Sequence, residues 1–362
     1  MDDLKQGYLA IRREEVLGII VCILMAASSY IVTRGTLFEN GPRILPSELF
    51  IENVVFSTLS QIGPIVLALL IGLPIAIKSL APGASYSGKY LLRIAIALMG
   101  ARVTIDVLSR ASPIGIIIIL LTMAFAIVSA FYLGNKWKLE QDASALIGTG
   151  NAICGVSACL TVAPVIKAKP HNLHAVIGVI SILGLIGVFF VPWLATIIGL
   201  SDAQSAVLIG GSLHEVGNVV PAAEIYYNTL GGGDILGLVL AYKMIRVAML
   251  VVVAYYLAHL FSKRAWSSGE NISIRPQGFL IVFVAVAIIV SLLLTLEPQT
   301  GDAIRTSLIN ISASLLTIAM AGVGLAMNLR QTIHIGKRLL PLTGLIWLAQ
   351  LALLLILITI LV

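Results

Sequence analysis

Apolar runs of roughly twenty residues recur along the whole sequence, separated by short stretches that gather most of the charge. Each run is long enough for the ~30 Å hydrocarbon core of a bilayer. Setting the runs against their charged breaks places segments at 16–33, 61–79, 90–108, 113–134, 143–167, 172–198, 204–228, 235–261, 277–296, 306–328 and 339–361. The pattern predicts an all-α integral membrane protein with about eleven membrane elements. Segments 143–167 and 204–228 are interrupted by glycine and polar residues, and these two are expected to be discontinuous or re-entrant helices. The chain then reads as an N-terminal span and connection (1–48), a first transmembrane half (49–200) and a second (201–362), each half holding one interrupted segment. LLRIAIALMG at 91–100 and LLTIAMAGVG at 315–324 agree at six of ten positions. The expected topology runs them in opposite directions, as in an inverted-topology repeat.

Composition sharpens this picture. Of 362 residues 59% are hydrophobic and 11% charged, against roughly 25% charged in a soluble domain, and the mean hydropathy is +1.04. The net charge of +6 is dispersed through connections rather than gathered on one face, which speaks against a nucleic-acid partner. With the N-terminus in the cytoplasm, the inner connections hold Lys78, Lys89 and Arg93, then Lys136 and Lys138, then Lys263, Arg264 and Arg275, then Arg330, Lys337 and Arg338. Arg34, Arg43, Arg110 and Arg305 are outer exceptions to this positive-inside bias. Re-entrance of both interrupted segments keeps Lys167 and Lys169 inside as well. The first run, Leu17 to Val32, reads as a retained span because no small-x-small cleavage site follows it. The expected location is thus the cell inner membrane. Cys22, Cys154 and Cys159 lie in apolar stretches and suggest no disulfide framework. No G-x-x-x-x-G-K-[ST] loop occurs.

Non-helical backbone at membrane depth persists only where protein or a wet cavity satisfies its polar groups, so the interrupted segments mark candidate sites. The first reads GTGNAICGVSACLTVAP: Gly148, Gly150 and Gly155 permit unwinding, while Asn151, Cys154 and Ser157 bring polar groups. Free N–H groups at the start of a second arm would favour an anion. The plainer alternative is that the small residues serve close helix packing. The second segment reads LIGGSLHEVGNVVPAAE and holds His214, Glu215 and Asn218, which a helical turn would gather near one side. A His and a Glu in an apolar run can bind substrate, carry a proton or hold a coupling cation, or form a buried packing pair. Lys243 and Arg246 share a helix face in the next run. A cation at the centre of an isolated span costs ~2.5–3.5 kcal/mol on the insertion scale, so the pair needs an anion, a counter-charge such as Glu215 or Glu224, or a route to the interface.

Enzyme readings are set aside. His214-Glu215 begins an H-E-x-x-H zinc pattern, but Asn218 stands at its fifth position. Gly155-Val156-Ser157-Ala158 lacks the rest of a serine nucleophile motif. No catalytic residue, metal or cofactor is expected.

In these segments the chain resembles the YeiH-like sulfate exporter family. Gly148, Gly150, Ile153, Cys154, Gly155, Ser157 and Ala158 match its first motif, and His214, Glu215, Val219 and Val220 its second. Lys243 and Arg246 are similar to its K-x-x-R element, and weaker similarity runs from about residue 55 to the end. Asn151, Ala152, Val156, Gly217 and Asn218 depart from the family pattern, which puts the identity of the anion in doubt. The resemblance implies a multi-spanning transporter with inverted repeats and interrupted helices.

The reading is a secondary transporter, in the export direction if it follows the family, that moves a small inorganic or organic anion such as sulfate or a sulfonate by alternating access. Asn151, Cys154, Gly155, Ser157, His214, Asn218, Lys243 and Arg246 would bind the substrate, and Glu215 or His214 would couple it to H⁺ or Na⁺. The alternative is a cation/proton exchanger using Glu215 and His214, with a structural basic pair. Partners are the anion and the lipid bilayer. The sequence admits a homodimer without specifying one.

Overall fold

The computed structural model describes residues 11–75, 77–261, 278–327 and 339–362. In chain order its principal helices are α1 (Arg13–Arg34), α2 (Val54–Ile62), α3 (Pro64–Gly72), α4 (Pro113–Lys136), α5 (Gln141–Ala152), α6 (Val156–Val165), α7 (Pro170–Ile198), α8 (Asp202–Ser212), α9 (Val216–Glu224), α10 (Leu236–Leu260), α11 (Gly278–Leu296), α12 (Pro298–Ala326) and α13 (Leu340–Leu361). Among the described residues there is no strand, only an isolated antiparallel bridge between Thr36 and Arg43.

Among the described residues, seven helices (α1, α4, α7, α10, α11, α12 and α13) are long and apolar enough to cross a membrane, and the α2–α3 pair, bent by 95°, is an eighth if it counts as one span. The expected segments at 61–79, 90–108, 143–167 and 204–228 are shorter or broken helices. Length and composition therefore support seven or eight spans where the sequence predicts about eleven elements. The basic connections at Lys263, Arg264, Arg275, Arg330, Lys337 and Arg338 lie outside the described residues.

The expected division at 1–48, 49–200 and 201–362 follows chain order, whereas packing groups the residues differently. Unit 1 comprises Met1–Ile105, Glu224–Gly231 and Ile281–Asn328; unit 2 comprises Asp106–Ala223, Gly232–Leu280 and Leu329–Val362. Within unit 1, α1 crosses the segment Ala81–Tyr86 where Gly18 faces Gly83. A Cβ on Gly83 would lie 2.1 Å from the Glu15 carbonyl oxygen and 2.6 Å from Gly18 Cα, so the two backbones touch only because neither residue has a side chain. The α2–α3 bend falls at Gly63, whose φ of 80° is open to glycine at little cost.

Unit 2 holds the first interrupted segment and the second as far as Ala223, and in each the chain turns back. In the first, the Cys159 thiol of α6 donates to the Leu146 carbonyl of α5 at 3.4 Å, so the arms lie side by side as a hairpin. Its two ends are clasped together. The Lys169 backbone N–H donates to Asp142 Oδ2 at 2.8 Å, and Asn172 Nδ2 donates to Glu140 at 2.6 Å and to Asp142 at 3.1 Å. Lys169 Nζ also pairs with Glu140, and this bond, with that from Asn172, holds the Glu140 carboxyl below its ordinary range. In the second segment the chain leaves at Asp202 and returns to it, where the Gly233 N–H donates to Asp202 Oδ1 at 3.0 Å.

Each hairpin is followed by a long helix that runs parallel to its first arm. Asp142 meets Asn172, and farther along both helices Gly150 packs on Ile180 of α7. In the same way Asp202 meets Gly233, and Gly210 packs on Val239 and Tyr242 of α10. Asp142 and Asp202 thus hold equivalent places, as do Gly150 and Gly210. With 29 residues, α7 carries the chain about 43 Å from the mouth of the first hairpin towards the start of the second.

Candidate functional site

The two breaks meet inside unit 2. The first falls at Ile153–Gly155 and the second at Leu213–Glu215, where Leu213 is extended (φ −69°, ψ 144°). Gly155 has φ 61° and ψ −123°, and a Cβ there would lie 2.9 Å from Glu215 Cγ and 3.3 Å from His214 Cβ. Glycine is therefore required twice, by its backbone angles and by the closeness of the crossing chain.

A helix that stops inside protein leaves its last carbonyls without intrahelical donors and carries roughly half a negative charge at that end. Here α5 and α8 both stop at the crossing, and α10 supplies what they lack. Lys243 Nζ donates to the carbonyl oxygens of Ile153 at 2.8 Å, Leu213 at 2.6 Å and His214 at 2.7 Å. Arg246 donates from Nε to Ala152 O at 2.9 Å, from Nη1 to Leu213 O at 2.8 Å and Gly210 O at 3.3 Å, and from Nη2 to Asn151 O at 2.6 Å. Both side chains are 0% exposed, which excludes a route to the interface. No carboxylate of a described residue lies within 4.0 Å of either cation. Every ammonium donor of Lys243 is thereby committed to backbone.

Asn151 and His214 join the two segments through side chains. Asn151 Nδ2 donates to the Ile147 carbonyl at 2.9 Å, which leaves Oδ1 to face His214 Nε2 at 3.0 Å. Nε2 is thus the donor, and Nδ1 carries the lone pair in the neutral ring. Nδ1 is buried and meets no hydrogen-bond partner among the described residues. Asn218, in the first turn of α9, turns its amide toward Gly184 of α7, where a Cβ would lie 2.3 Å from Nδ2. The Glu215 side chain is partly buried against Gly155. Cys154 is buried at the break, and Ser157 is partly buried on the first turn of α6.

The crossing therefore brings together Asn151, Cys154, Gly155, His214, Glu215, Asn218, Lys243 and Arg246, with Ser157 on the adjoining turn. Trp347 of α13 was not among the expected residues. Its indole N–H donates to the Ser212 carbonyl at 3.2 Å, and its ring lies 5.5 Å from the His214 ring. A lone indole in an apolar run is the only sequence signal for it. Among the described residues no group of three or more His, Cys, Asp or Glu side chains is placed to hold a metal ion.

The family described as conserved hypothetical protein 698 matches residues 17–343. A UPF0324 membrane protein of Lactococcus lactis, YdhF, is 32% identical over 76% of this chain and 82% of its own. A UPF0324 membrane protein of Bacillus cereus is 29% identical over 77% of this chain and 82% of its own. The UPF0324 inner membrane protein YeiH of Escherichia coli is 32% identical over 68% of this chain and 69% of its own. No solved structure matches the chain.

Proposed function

We propose that this chain, which belongs to the conserved hypothetical protein 698 family and is a YeiH-like membrane protein, is a secondary carrier of a small anion that works by alternating access. The observation that carries the reading is a pair of fully buried cations with no carboxylate of a described residue within 4.0 Å, set at the crossing where α5 and α8 end and α6 and α9 begin. Two cations against two helix C-termini of roughly −0.5 each leave about one positive charge. The starts of α6 and α9 add roughly +0.5 each, and an ionised Glu215 removes one. The crossing stays positive on balance, and an anion such as sulfate or a sulfonate would complete it. Backbone N–H groups at those helix starts, with Ser157, Asn218 and the groups around Gly155, would meet the anion.

The hairpin geometry favours the same reading. Arms of 12 and 10 residues in the first hairpin reach about 18 and 15 Å, half of a ~30 Å core, so tips entering from either side would meet near mid-membrane. We read the Asp142–Gly150 and Asp202–Gly210 equivalence, with its following parallel helices, as an inverted-topology repeat. The carrier would sit in the cell inner membrane with its N-terminus in the cytoplasm, coupled to H⁺ or Na⁺, and would need no cofactor.

A thermal-shift series on purified protein against sulfate, sulfite, organosulfonates and small carboxylates tests this. An anion at a hundred times its Kd should stabilise the fold by about 2.7 kcal/mol. A second reading, cation/proton exchange through Glu215 and His214, is favoured by the commitment of the Lys243 and Arg246 donors to backbone. It takes precedence if no anion shifts the melting temperature while Na⁺ or pH does so through Glu215.

A further inference from the structure

Lys243 and Arg246 lie on one face of α10, and each reaches both hairpins. Lys243 joins Ile153 of the first to Leu213 and His214 of the second; Arg246 joins Asn151 and Ala152 to Gly210 and Leu213. We propose that these two side chains are positioning residues that pin the tips of both hairpins to α10, so that the tips remain joined throughout the carrier's cycle instead of opening one at a time.

The physical ground is the cost of separation. Moving either tip away would strip carbonyl oxygens from a cation that is fully buried, and an unmade bond at a buried charge is costly. Charge-assisted bonds of this kind are about twice as strong as neutral ones. The Asn151–His214 side-chain contact adds a direct tie between the tips. The carried ion, whatever its sign, is then met by groups other than the two cations, which act on it through the backbone they hold in place.

Native cysteines supply the test. Cys154 sits at the first tip, 3% exposed, and Cys22 is 0% exposed in α1 of unit 1. Site-resolved maleimide labelling of the full chain in detergent should find Cys154 labelled about tenfold or more faster in Lys243→Gln and Arg246→Gln, with Cys22 unchanged. Arg246→Lys, which keeps a cation and some donors, should recover part of the protection. In ion-free buffer the Gln variants should melt at lower temperature. Saturating sulfate should still stabilise them, with weakened affinity, and should slow Cys154 labelling.

Two results would overturn the proposal. One is Gln variants whose Cys154 stays protected. The other is Gln variants that melt higher without ions and lose all response to sulfate, the behaviour of direct ligands. If the Gln variants do not accumulate, hydrogen exchange on the wild type decides. Amides of 153–158 and 213–219 should open as one unit, and separate opening would refute the pinning. If sulfate leaves the wild type itself unchanged, the sulfate reading fails, while labelling and exchange still judge the pinning.

Discussion

In unit 1, α1 meets the segment Ala81–Tyr86 backbone to backbone, with Gly18 against Gly83. In unit 2, helix ends meet inside the protein, and two cations are buried to satisfy them. The first solution keeps every helix bond intact and needs only the absence of side chains. The second interrupts helices at membrane depth and requires donors from a neighbour. The difference sets the crossing in unit 2 apart from the glycine contact in unit 1.

The largest effect should follow removal of a cation. Lys243→Met takes the ammonium from the Ile153 and His214 carbonyls and leaves Leu213 to Arg246 alone, and should cost on the order of 3–5 kcal/mol in a denaturant unfolding series. A cost below that of an ordinary core substitution would place the ammonium in an unneeded role and dissolve the contrast. Gly155→Ala comes next, at about 1–3 kcal/mol, because alanine must adopt a positive φ and its Cβ meets Glu215. In unit 1, Gly83→Ala should cost about 1–3 kcal/mol through backbone displacement against Glu15. If it unfolds no more easily than the wild type, the two backbones have room to part.

The smallest effect is at the mouth of the first hairpin. The Glu140 carboxyl, held low by Lys169 and Asn172, contributes stability above its unfolded value of about 4.3 and loses it as pH falls through the lowered folded value. Amide exchange near residue 169 should rise over that acidic window, and Lys169→Ala should flatten the step. Glu140 is exposed, so the change should be slight.

Much of this was legible in the sequence. The long helices follow the apolar runs, and both breaks fall where glycine and polar residues cluster, at Gly155 and at His214–Glu215. The shared helix face of Lys243 and Arg246 was also plain. Their partners were not, because the acceptors are main-chain carbonyls and every residue type carries one. The folding back of each segment rests on distant contacts such as Asp142 with Asn172, of which the sequence shows only the basic bias at Lys167 and Lys169. The similarity of 91–100 to 315–324 lies wholly in unit 1. Asp142–Gly150 and Asp202–Gly210 agree at only three of nine positions, so their equivalence emerges from the contacts.

Trp347 gives the crossing an optical window. The indoles of Trp137 and Trp193 are 43% and 51% exposed, whereas that of Trp347 is 2% exposed and lies beside the His214 ring. Its emission should dim when the neighbouring imidazole gains a proton. Fluorescence of the unlabelled protein would then follow what reaches the hairpin tips in real time, with Trp347→Phe as the blank.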